Sequence, residues 1–277
     1  MIEIEELVHV YSGETRAVNG VSLSIGAGEA IAVVGQNGSG KSTLVRHLNG
    51  LLRPTEGRVA IDGLDAAGRR VAQLAGIVGL AFQDPDRQIF AGSVRAEAAF
   101  GPRNLGWRRD AVDAAVAEAL TAVGLAGEAE TNPYDLGYSR RKLLALASVL
   151  AMRTAVVVLD EPTTGQDARG VARVEAIVRS LREAGRTVIA ISHDMRFVAE
   201  SFERVVVMRL GRIVADGSPA EVFAEPGWPV LRSTNLEPPL AAVVGARLSL
   251  GSTPTEASLV AALVAGQPGG RRGGGGR

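Results

Sequence analysis

Residues 31–48 read IAVVGQNGSGKSTLVRHL, and the order of their parts decides the fold. Ile31 to Val34 is a short apolar run, glycines interrupt it, and Lys41 to Leu48 carries a helical pattern, so the stretch predicts strand, loop and helix in succession. Within it, Gly35 to Thr43 fits the phosphate-binding spacing G-x-x-x-x-G-K-[ST] in the structural setting that spacing requires. Glycines at 35, 38 and 40 let backbone N–H groups turn inward without Cβ clashes, and the helix N-terminus adds partial positive charge. Lys41 is expected to reach the β and γ phosphates of a nucleotide and Ser42 to ligate Mg²⁺, with Asn37, Ser39 and Thr43 completing the cradle. The competing reading is a plain turn in a chain with 34 glycines. Against it stands the lysine: of 30 basic residues only two are lysine, Lys41 and Lys142, and one of them falls where the pattern demands it.

A second stretch, AVVVLDE from Ala155 to Glu161, is an apolar strand that delivers two carboxylates at its C-terminal end, where a parallel sheet places its ligand. Asp160 is expected to hold Mg²⁺, directly or through water, and Glu161 to orient and polarise an attacking water. His193 ends another apolar run, Thr187 to Ile191, in the sequence ISHD. Alone it would be read as a structural histidine; beside Asp160 and Glu161 it is expected to donate to the γ-phosphate. Gln83, after the run Ile77 to Phe82, is a further candidate to touch Mg²⁺ or the water and so to sense the nucleotide.

Composition sets the outer bounds. The chain has 277 residues, 46% hydrophobic, enough for a sizeable core. Thirty basic and thirty acidic residues cancel, so no electrostatic footprint for nucleic acid is present and no nucleic-acid partner is expected. Cysteine is absent, which removes disulfides and thiolate metal sites and suits a reducing compartment. The start, MIEIEELVHV, alternates like a strand and lacks the cationic and apolar parts of a signal peptide. No stretch reaches the roughly 18–20 apolar residues of a spanning helix.

Outward from the two motifs, segments 2 to 10 and 19 to 25 and Val59 to Ile61 predict an antiparallel sheet near the N-terminus. Val94 to Met152 is alanine-rich and helix-forming, with an amphipathic stretch from Arg109 to Val123. The α/β rhythm then resumes: strand 155–159, helix 169–183, strand 187–191, helix 195–201, strand 204–208 and a hairpin through Gly211. The expected organisation is a nucleotide-binding unit over 1–225 with a helical subdomain at about 94–152, and a C-terminal appendage over 226–265 that includes an amphipathic segment from Glu256 to Val264. The glycine- and arginine-rich end, 266–277, cannot bury apolar surface and is expected to be disordered.

Taken together these residues resemble the ATPase subunits of ATP-binding cassette (ABC) transporters, over roughly residues 2 to 225. Gly35 to Thr43 resembles that family's Walker A, Val156 to Glu161 its Walker B with catalytic glutamate, Gln83 its Q-loop and His193 its switch histidine. Tyr11 lies where the family stacks an aromatic on adenine; an edge-strand tyrosine is the alternative. The resemblance implies an α/β P-loop NTPase fold with a RecA-like core, an antiparallel β subdomain and an α-helical subdomain, with ATP and Mg²⁺ as ligands. FQDPDRQIFAGSV, the following AFGPRNLG and the tail from Leu236 are similar to the energy-coupling factor subgroup, importers of vitamins and transition-metal ions. That implies a peripheral position on the cytoplasmic face of the membrane, beside an integral membrane coupling subunit, a substrate-binding membrane protein and a second ABC ATPase. It also makes the tail a dimerisation segment, and makes Asp86, Gln88 and Phe90 the candidates for docking the membrane subunit.

One motif departs from the family. Where its signature LSGGQ is expected, this chain has LGYSR, Leu136 to Arg140. In the family two subunits clamp ATP head to tail and the signature serine donates to the γ-phosphate of the other subunit's nucleotide. Here Gly137 replaces the hydroxyl and Tyr138 a glycine, and Ser139 compensates only if the register shifts. Gln166 likewise replaces an apolar residue in the loop TTGQDARG. The expectation is a heterodimer whose partner supplies an ordinary signature; a homodimer remains open. So do a conventional ABC transporter subunit, a soluble non-transport ABC ATPase and a non-hydrolysing regulatory subunit.

Overall fold

The computed structural model describes residues 1–265; the segment expected to be disordered, 266–277, lies outside the described residues. In chain order the elements are β1 (Ile2–Val10), β2 (Arg16–Ile25), β3 (Ala30–Val34), α1 (Lys41–Leu48), β4 (Glu56–Ile61), β5 (Leu64–Asp65), α2 (Val71–Ala75) and β6 (Val78–Ala81). Helices α3 (Val94–Asn104), α4 (Arg109–Ala122) and α5 (Tyr138–Ala151) follow. Then come β7 (Val156–Asp160), α6 (Ala168–Glu183), β8 (Thr187–Ile191), α7 (Met195–Ser201), β9 (Arg204–Arg209) and β10 (Arg212–Gly217). Short helices α8 (Pro219–Val222) and α9 (Trp228–Arg232) lead to α10 (Leu240–Arg247) and α11 (Glu256–Ala265).

Two sheets result. The N-terminal one is antiparallel with strand order β2-β1-β4-β5. The central one has order β10-β9-β3-β8-β7-β6, parallel except where β10 returns beside β9. That return uses a two-residue turn, Leu210 and Gly211, both at positive φ, the geometry that matches strand twist in a hairpin.

The central strands are apolar throughout because both of their faces are covered. Along β3, Ala30, Ala32 and Val34 pack with α3 to α7, while Ile31 and Val33 pack with α1 and the antiparallel sheet. β7 divides in the same way, Val157 and Leu159 to one side, Val156 and Val158 to the other. A strict two-residue period therefore joins both cores through one sheet. In the helical part, α4 buries Val112, Ala115, Val116, Ala119 and Leu120, the helical spacing that its sequence predicts, against α3 and α5.

The C-terminal segment differs from expectation. Its last helix forms over Glu256–Ala265, but its sequence, EASLVAALVA, is apolar nearly all round, and none of its residues is buried. Val260 and Val264 are more than half exposed, and α11 packs on α10 with only Ser258, Leu259 and Ala262 half-buried.

Candidate functional site

The parallel strands β3, β8, β7 and β6 lie side by side and point the same way, so the segments leaving their C-terminal ends converge. β3 leads into the 35–43 loop, β8 into His193, β7 into Asp160 and Glu161, and β6 toward Gln83. A cavity is lined by Asn37, Gly38, Lys41, Ser42 and Thr43 of the loop and by Gln83, Asp160 and Glu161.

Two glycines are required for a reason that the motif alone does not disclose. Gly35 and Gly40 have φ of 147° and 103°, and a Cβ on either would lie 2.2 Å from the Met208 carbonyl oxygen or 2.3 Å from that of Ala17. These positions let the loop nestle against neighbouring strands, while Gly38 faces open space. The loop is also held from outside: Gly211 N–H donates to Ser39 O at 3.0 Å, and Asn235 Nδ2 of the C-terminal segment donates to Gln36 Oε1 at 2.8 Å. Helix α1 starts at Gly40 with no side-chain cap and no acidic residue in its first turn, which leaves its N-terminal charge available to an anion.

Lys41 is buried, and its Nζ donates to the carbonyls of Gly35 at 2.6 Å and Gln36 at 2.9 Å. Burial pushes its ammonium below the usual lysine range, against the opposing pull of Glu161 and Asp160. Asp160 is buried as well; burial pushes its carboxyl up while the adjacent Ser42 hydroxyl pulls it down. Its Oδ1 is buried without a hydrogen-bond partner. An orphaned carboxylate oxygen, a hydroxyl at Ser42 and an amide at Gln83 on one cavity form an all-oxygen donor set of the kind Mg²⁺ takes, so these residues fit that ion.

Glu161 sits in the left-handed region, φ 53°, with its N–H donating to Ile191 O at 2.9 Å. Its Oε2 accepts from His193 Nδ1 at 2.7 Å and from Thr164 Oγ1 at 3.3 Å, while Oε1 of this cavity-lining residue makes no hydrogen bond. His193 thus meets the carboxylate through Nδ1, and only Nε2 is left for a phosphate.

Tyr11 stands on the α1 side of the loop, its hydroxyl 3.2 Å from Thr43 Oγ1 and its ring partly exposed. Behind it lies a pair that the sequence did not flag. His47 Nδ1 donates to Thr43 O at 2.8 Å and its Nε2 is 3.2 Å from His9 Nδ1, while the His9 ring stands edge-on to Tyr11.

The docking candidates separate. Gln88 accepts from Phe82 N–H at 3.0 Å and donates to Ala145 O at 2.8 Å and Ser148 Oγ at 2.9 Å, so it braces the Gln83 loop against α5 rather than facing a partner. Asp86 pairs with Arg141 at 2.9 Å. Phe90 is 59% exposed and meets Phe100, itself exposed, edge to face. In the signature register Gly137 precedes α5, the Tyr138 ring covers Gly165, and Ser139 is bonded in both directions to Gln166.

The ABC transporter family model matches residues 18–164. The chain belongs to the ABC transporter ATPases. ATP hydrolysis is the activity expected of that family. Over 227 residues the chain is 41% identical to the energy-coupling factor transporter ATP-binding protein EcfA of Methanothermobacter thermautotrophicus, covering 81% of this chain and 73% of that one. It is also similar to the solved structure of cbiO1 from Clostridium perfringens, described as part of the ABC transporter complex cbiONQ, with a TM-score of 0.74 at 35% identity over 90% of this chain and 98% of that one. A putative ABC transporter ATP-binding protein of Caldanaerobacter subterraneus is 43% identical over 91% of this chain, and the chain spans 44% of that longer protein. Among the described residues of this ABC ATPase no helix is long and apolar enough to cross a membrane.

Proposed function

We propose that the chain is the ATP-binding, ATP-hydrolysing subunit of an energy-coupling-factor-type importer of a vitamin or a transition-metal ion. It works on the cytoplasmic face of the membrane, in an asymmetric pair with a second ABC ATPase, beside an integral membrane coupling subunit and a separate substrate-binding membrane protein. The observation that carries the nucleotide reading is the meeting of the 35–43 loop with the unpartnered Oδ1 of Asp160 and the cavity-lining Glu161. The similarity to EcfA and to cbiO1 supports the energy-coupling assignment.

In this reading Gly35, Asn37, Gly38, Ser39, Gly40, Lys41, Ser42 and Thr43 cradle the phosphates, and Tyr11 stacks on adenine. Ser42, Asp160 and Gln83 hold Mg²⁺, which when bound would neutralise charge on the β and γ phosphates. Glu161 takes a proton from the attacking water through Oε1, and His193, paired to Oε2, keeps that carboxylate aimed. The Phe90–Phe100 pair is the apolar part of the docking face.

Lys41→Ala removes a charge-assisted donor from a buried loop, an interaction worth about 1.5–3 kcal/mol. MgATP affinity, read by titration calorimetry, should fall about 10- to 100-fold; unchanged binding would overturn the nucleotide reading. Co-purification from membranes tests the transporter class. A small integral membrane coupling protein together with a second ABC ATPase is the expected result, and a pair of large permeases would point instead to a conventional ABC transporter.

A further inference from the structure

The second of the two lysines, Lys142, takes no part in the nucleotide cradle, yet it is 5% exposed. It lies in α5, and its Nζ donates to the carbonyl oxygens of Glu161 and Thr164, the latter at 2.9 Å. Those carbonyls are the two ends of the turn that follows β7, which Thr164 N–H closes back onto Glu161 O at 3.3 Å. Glu161 holds a left-handed backbone there without being glycine, a conformation that persists only where its surroundings over-determine it. β8 fixes its N–H and Lys142 fixes its carbonyl.

The residue type follows from the geometry. Two carbonyls converge on one point, which suits an ammonium with three donors on a single atom; the planar guanidinium spreads its donors apart. This accounts for a lysine in a chain that otherwise relies on arginine. The same helix holds the rest of the segment: one turn earlier Tyr138 covers Gly165, and Ser139 bonds Gln166. Three residues on the first two turns of α5 thus hold Glu161 to Gln166 as a unit.

We infer that Lys142 is a positioning residue for hydrolysis, clamping the Glu161–Thr164 turn so that the Glu161 carboxylate is aimed at the attacking water. The inference rests on the proposed ATPase role of Glu161. Because Lys142, Tyr138 and Ser139 all lie on α5, the clamp also makes any shift of α5 a shift of Glu161.

The test compares Lys142→Met and Lys142→Arg with the unmodified chain in the assembled transporter, reading MgATP affinity, kcat and hydrogen exchange of the 161–167 segment. Misplacing a reacting group by about 1 Å costs about 10²-fold in rate. Both variants should therefore keep MgATP affinity within about threefold, lose about 100-fold in kcat, and exchange faster at 161–167. Unchanged kcat, or a loss of affinity equal to the loss of kcat, would overturn the inference. If the unmodified assembly itself fails to hydrolyse ATP, the proposed function is at fault, not the clamp. If both variants misfold, isotope-labelled lysine in the unmodified chain decides, since it carries two lysine side-chain signals. Slowly exchanging Nζ protons on Lys142 support the clamp, and rapid exchange refutes it.

Discussion

Glu161→Gln is expected to lower ATP turnover by about 10²- to 10⁴-fold, the usual worth of a positioned general base, while leaving MgATP binding in place. The hydrogen bonds around the side chain explain why so small a change should act so strongly. Oε2 accepts from both His193 Nδ1 and Thr164 Oγ1, so a glutamine keeps its own carbonyl oxygen at that position. Its NH₂ then occupies the place of the unpartnered Oε1, where a donor replaces the acceptor that a water needs. The fold is undisturbed, because Glu161 N–H and the Lys142 contact are backbone interactions. Phosphate release measured beside retained nucleotide checks this: slow release with trapped MgATP is the expected pair of results. Turnover within tenfold of the unmodified protein would remove Glu161 from the chemistry and would favour a chain that regulates without hydrolysing.

What could be read from the sequence was local. The loop from Gly35, the apolar runs ending at Asp160 and Ile191, and the helix from Lys41 are short patterns whose meaning is set by nearest neighbours, and each lies where its spacing puts it. That the four strand ends meet follows from strand order, which the parallel-sheet rule anticipates. Pairings across long separations were not legible. Gln88 reads as an exposed polar residue in DPDRQ, yet its partners Ala145 and Ser148 are 57 and 60 residues away. Lys142 could be marked as unusual but not explained until the Glu161–Thr164 turn was seen against α5. The His9–His47 contact spans 38 residues and leaves no pattern at all. α11 has the apolar content of a packed helix without the polar stripe that would give it two faces.

The altered signature yields the other large effect. Ser139 offers no substitute for the absent donor at 137, because its hydroxyl hydrogen already goes to Gln166 Oε1 at 2.7 Å and its carbonyl accepts from Gln166 Nε2 at 3.0 Å. Releasing it would break both bonds. Tyr138 is committed too, since its ring lies where a Cβ on Gly165 would come within 2.9 Å. Gln166 and Tyr138 together thus hold the start of α5 against its own chain, an arrangement that an ordinary signature, with a free serine and two glycines, lacks. Loss of one donor to developing negative charge costs about 3 kcal/mol, roughly 100-fold in rate. The lone chain should accordingly hydrolyse ATP about 100-fold more slowly than a mixture with a homologous partner that carries an intact signature. Replacing Gly137→Ser, Tyr138→Gly and Ser139→Gly together should recover most of that factor in the lone chain, and Gly137→Ser alone should recover little while the Tyr138 ring still blocks approach. Robust turnover by the unmodified lone chain would instead mean that LGYSR completes a working site, and the asymmetric pair would have to be abandoned.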